Sequence, residues 1–211
     1  LHLAGEPNVI SSGNVKSIAT FTNGFAIRLK HKIDDEHYAH ISFGSGDLQD
    51  ADGGTSNWYH TFLGDGYALH WQSPVSGGAD KDLGLRRVPD GGGATWLTYL
   101  DQGSLTSLDE WHVLELIYDQ NGKLRFLHDG SELLSVTDTT YLTNAKNILL
   151  TQGEYSGGQG GNRYIDWVFV RKYVDPEPSV SAIGSEEYYL QETTIIAGEV
   201  SAEFLNAEGE S

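Results

Sequence analysis

The sequence has no cysteine and no methionine, few prolines, and less than half as many basic as acidic side chains. Without cysteine there can be no disulfide framework, no zinc–thiolate centre and no thiol nucleophile. Secretion stays open, because a domain of this size can hold itself together without bridges. Without methionine, Leu1 is expected to follow a processing event or an artificial boundary. The 13 Lys and Arg against 30 Asp and Glu leave a net charge of −17, which repels nucleic acid and anionic membrane surfaces. No apolar run reaches the ~20 residues of a membrane-spanning helix, so no insertion of that kind is expected.

What is present is a β-protein's vocabulary. Hydrophobic residues make up 38% and aromatics 11%, enough for a packed core in 211 residues. Short apolar or alternating runs are divided by clusters of Gly, Asp, Asn and Ser. The pattern predicts strands at Phe25–Lys30, His37–Phe43, Tyr67–Gln72, Leu83–Val88, Thr95–Leu100, Trp111–Tyr118, Lys123–His128, Glu132–Val136, Asn147–Thr151 and Tyr164–Val174. Asp129-Gly130-Ser131 should turn a hairpin. No stretch sustains a 3.6-residue apolar period, although Thr139–Ala145 has room for one turn. The expected fold is all-β: an antiparallel two-sheet jelly-roll sandwich with a C-terminal strand extension.

The expected organisation is an N-terminal strand or arm over residues 1–20 and a sandwich over 21–174. A proline-containing linker (175–185) and an acidic, apolar extension (186–211) follow, because Pro176 and Pro178 cannot donate to a sheet ladder. From Val174 onward there are nine Asp and Glu and no Lys or Arg, a composition that usually marks a solvated linker. Yet Tyr188, Leu190, Ile195, Ile196, Val200 and Phe204 make the segment too apolar for a free tail.

Three stretches carry a resemblance: FTNGF at Phe21–Phe25, WHVLEL at Trp111–Leu116 followed by Gly122-Lys123 and Asp129-Gly130, and YIDWVFVRKY at Tyr164–Tyr173. Together they resemble the concanavalin A-like (laminin-G-like) lectin and glucanase jelly-roll superfamily across about residues 10–180. The likeness is greatest to a module of archaeal and bacterial surface proteins whose last strand reads IDWV-x-VRKY. The resemblance implies the fold and an extracellular or cell-surface setting. It implies no particular chemistry, since one fold hosts many functions.

Catalysis is not expected. Glycan hydrolysis needs two carboxylates about 5–10 Å apart, which on a strand means acids two or four residues apart. The strands offer no such pair: Glu115 stands between Leu114 and Leu116 with no acid two or four residues away on its strand, and Asp34-Asp35-Glu36 falls in a turn. No Gly-x-Ser-x-Gly elbow is present. His37 and His40, three apart, would face opposite sides of a strand.

Calcium, as a structural ion, is the cofactor these residues would suit, since hard cations take carboxylates and carbonyls from flexible loops. Asp47, Asp50 and Asp52 are candidate ligands, and the superfamily likeness adds Asp166; an ordinary acidic turn and a hydrogen bond to loop amides are the plainer readings. For polysaccharide, Trp58, Tyr59, Trp71 and Trp96 are candidate stacking platforms, with Trp58 expected to be exposed. Trp111 and Trp167 are expected in the core.

Two functions follow. One is a non-enzymatic structural subunit of an extracellular filament or appendage. Its neighbouring copies would join by β-strand addition through Tyr188, Leu190, Ile195, Val200 and Phe204. The alternative is a lectin-like carbohydrate-binding module of a secreted glycanase or surface protein.

Overall fold

A computed structural model of the chain describes residues 2–4, 12–34, 38–50, 61–72, 83–100, 109–153 and 162–177. Fourteen strands occur among them: β1 (His2–Ala4), β2 (Ser12–Lys16), β3 (Phe25–Ile33), β4 (Tyr38–Gly44), β5 (Leu48–Asp50), β6 (Thr61–Leu63) and β7 (Gly66–Gln72). They continue as β8 (Leu83–Val88), β9 (Thr95–Leu100), β10 (His112–Tyr118), β11 (Lys123–His128), β12 (Ser131–Thr137), β13 (Asn147–Gly153) and β14 (Asn162–Lys172).

Two six-stranded antiparallel sheets form the body. The first runs β1-β14-β3-β10-β11-β12 and the second β2-β13-β4-β7-β8-β9. The short β5–β6 pair is separate. The all-β sandwich is therefore as expected, and all ten anticipated strands form. The N-terminal segment, expected as a strand or arm, supplies two strands, β1 and β2, at one edge of each sheet.

Alternation sets the core. Phe25, Ile27, Leu29 and Ile33 point inward from the first sheet and meet Ile41, Phe43, Leu69, Trp71 and Leu85 of the second. Tight turns fix the registers. Between β10 and β11, the Asp119 carboxylate accepts the amides of Asn121 and Lys123, both at 2.8 Å. Between β11 and β12, Asp129 and Gly130 both take positive φ, 48° and 82°, as a two-residue turn with right-handed twist requires. The chain turns once at residues 140–143 and forms no helix among the described residues.

Candidate functional site

The outward side of the second sheet brings together the polar and aromatic groups that the core does not use. On β9, Trp96 and Tyr99 are three residues apart, which in a regular strand would place them on opposite faces. A register shift between Leu85 and Arg86 changes this: Tyr99 lies opposite Gly84 and Trp96 opposite Arg86. Since residues opposed across a ladder share a face, the bulge turns both rings outward at the sheet edge.

Trp96 is held from several sides. The Arg86 guanidinium carbon sits 3.8 Å from its ring centre, and the His70 ring meets it edge-on at 5.2 Å. Tyr99, 43% exposed, stands 6.0 Å from it. From His70 a hydrogen-bonded row runs inward across the sheet. His70 Nδ1 lies 2.8 Å from His40 Nε2, and His40 Nδ1 lies 3.0 Å from Thr151 Oγ1. Phe62 of β6 covers His40 at 4.7 Å, so both histidines are buried although they point away from the main core. Chemically this is an aromatic platform backed by a cation and by oriented donors and acceptors, the combination that recognises hydroxyl-rich rings. The outward positions of β4, β7, β8 and β13 carry no Asp or Glu among the described residues, so a carboxylate pair is not assembled on that part of the face.

The anticipated site residues fare differently. Trp96 lies in the cluster just described. Trp71 does not: it is 2% exposed and packs inward against His31, Phe126 and His128. Its place in the alternation with Tyr67 and Leu69 puts it in the core. Trp58, Tyr59 and Asp52 lie outside the described residues, as do Tyr188, Leu190, Ile195, Val200 and Phe204. Asp47 is exposed beside β5, and Asp50 ends that strand. Asp166 sits at a bulge in β14, where its carboxylate accepts from Lys30 Nζ at 2.8 Å.

The tryptophans expected in the core are also corrected. Trp111 is 45% exposed beneath Lys30, just ahead of β10. Trp167 is half-buried and stacked on Phe169 at 5.3 Å on the outside of the first sheet, because the bulge at Asp166 reverses the alternation. Arg86, His70, His40 and Tyr99 were not anticipated. The histidines could have been found from their even spacing from Ser42 and Ala68 on neighbouring strands.

No family model and no curated protein matches the sequence. Solved structures do match. A glycoside hydrolase family 16 endo-glucanase from Bacteroides ovatus superposes with a TM-score of 0.56 at 19% identity, covering 81% of this chain and 80% of that one. The carbohydrate-binding module CBM66 from Bacillus subtilis gives 0.53 at 9% identity, over 80% and 84%. The carbohydrate recognition domain of Emp47p gives 0.52 at 11% identity, over 82% and 83%. The fold is a concanavalin A-like jelly roll. One expectation is overturned by these matches: a non-enzymatic role does not follow from the want of paired acids along a strand, because the fold is shared with glycoside hydrolases. Glu115 itself pairs with Arg171 at 2.7 Å on the other sheet.

Proposed function

We propose that the chain binds a carbohydrate polymer on the outward face of its second sheet, along β8 and β9, in an extracellular or cell-surface setting. The observation that carries this reading is the bulge that turns Trp96 and Tyr99 to the same side, with the Arg86 guanidinium 3.8 Å from the Trp96 ring. Pyranose rings stack on such aromatic surfaces, and Arg86 is placed to read hydroxyls beside them. The likeness of the closing strand to surface-protein modules, and the lectin and carbohydrate-binding structures that share the fold, support the same reading. Strand addition between copies has no comparable support, since the residues expected to carry it lie outside the described ones.

Affinity electrophoresis through gels containing soluble β-glucans, fructans or mannans tests the proposal. At least one polysaccharide should retard the protein, and Trp96→Ala should restore free migration. Retardation that survives Trp96→Ala and Tyr99→Ala together would place binding elsewhere. Reducing ends released during incubation with the retarding polysaccharide would add hydrolysis to binding.

A further inference from the structure

The interior end of the first sheet holds a second cluster, remote in role from Trp96 and independent of the carbohydrate reading. His112 opens β10 and His128 closes β11, both on the inward side, and their rings lie 4.7 Å apart. Asp129 follows at once in the left-handed turn, so its carboxylate folds back beneath both rings. Asp129 Oδ2 is 2.8 Å from His112 Nδ1 and 3.7 Å from His128 Nε2, while its other oxygen accepts the Val113 amide at 2.7 Å. One donor atom from each of the three residues lies within 4.8 Å of those of the other two.

The Nε2 atoms of His112 and His128 are both buried with no hydrogen-bond partner among the described residues. Buried polar nitrogens are ordinarily satisfied, so the unpaired His128 Nε2 beside the Asp129 carboxylate marks an open ligand position. The Val113 amide of β10 holds the other carboxylate oxygen of Asp129, as the outer partner of a ligating carboxylate does.

We propose that His112, His128 and Asp129 bind a zinc-class divalent transition ion. Two imidazoles and one carboxylate suit zinc, whereas calcium takes oxygen ligands. Donors on a tetrahedral zinc at about 2.0–2.1 Å stand about 3.3 Å apart. The separations of 2.8 and 3.7 Å lie on either side of that value and all three donor atoms lie within 4.8 Å of one another, so the site would close on an ion by side-chain adjustment. Three protein ligands leave a fourth position for water. The ion would clamp the β11–β12 turn to the start of β10.

Equilibrium dialysis of the chelator-treated full chain against Zn2+, followed by metal analysis, tests the assignment. One zinc per chain should be retained and the melting temperature should rise. His128→Gln and Asp129→Asn, the latter keeping a residue tolerated in the left-handed turn, should each lower zinc affinity at least tenfold while the far-UV circular dichroism stays unchanged. If wild-type protein retains no zinc, or if both variants bind it as tightly as wild type, the assignment is wrong. If either variant does not fold, zinc-dependent perturbation of the His112 and His128 ring resonances in the wild type decides: shifts at both support the site, and their absence overturns it.

Discussion

Trp96 lies across Gly84. A methyl group on Gly84 would come within 2.2 Å of the indole Cζ3 and 2.6 Å of Cε3, so the ring occupies the space that a side chain on β8 would need. The platform thus depends on a missing side chain as much as on the aromatic one. Gly84→Ala should push Trp96 off the sheet, at a cost of about 1–3 kcal/mol for overpacking. It should weaken polysaccharide retardation nearly as much as Trp96→Ala, with the fold retained by circular dichroism. Unchanged retardation would show that the ring's position does not matter.

Trp71 behaves in the opposite way. It is enclosed by His31, Phe126 and His128, so Trp71→Ala should destabilise the fold by about 3–5 kcal/mol in urea unfolding. Under conditions where the variant is still folded, polysaccharide retardation should persist.

Asp138 gathers the turn after β12. It accepts from Tyr67 Oη at 2.8 Å, from Arg87 Nη1 at 3.0 Å and from the Thr140 amide at 2.9 Å. Burial would raise its pKa, but these donors outweigh burial and hold it below the usual carboxylate range. Asp138→Ala removes the carboxylate but leaves Tyr67 Oη its bond to the residue-138 carbonyl at 3.0 Å and Arg87 Nη1 its bond to Thr140 Oγ1 at 3.1 Å, so it should cost about 1–2 kcal/mol. Asp138→Asn keeps an acceptor and should cost less, as read from urea midpoints.

Acid should destabilise the protein before its carboxylates titrate. His31 is buried, and burial first, then the neighbouring Arg163, lowers its pKa well below the usual 6.5. His128 is lowered too, again mainly by burial. As pH falls below about 6.5 the unfolded chain takes protons that the native chain refuses, so stability falls with pH by at most about 1.4 kcal/mol per unit per histidine. His31→Gln keeps an acceptor for Arg163 Nε, which now reaches His31 Nδ1 at 3.2 Å. The variant should flatten the fall in urea midpoint between pH 7 and 5; an identical slope would remove His31 from the account.

The strands, their alternation and the Asp-Gly turn were legible because each is a local pattern several residues long. The three-residue strands β5 and β6 were not: three residues carry no period, and Phe62 reveals its role only when it is seen to cover His40. The bulges were equally hidden. One inserted residue reverses inside and outside, which is why Trp167 was assigned to the core and why Trp96 and Tyr99 could not be paired from their spacing. Trp96 was named from its residue type alone. Arg86 and His70 joined it only through register, as His112 joined His128 across β10 and β11.

The five tryptophans supply their own reporters for the central claim. The indole N–H resonance of Trp96, assigned by its loss in Trp96→Phe, can be followed while an oligosaccharide cut from the retarding polysaccharide is added. The account predicts a saturable shift at Trp96 with Trp71 unmoved. Shifts confined to Trp111 and Trp167, on the other sheet, would contradict it.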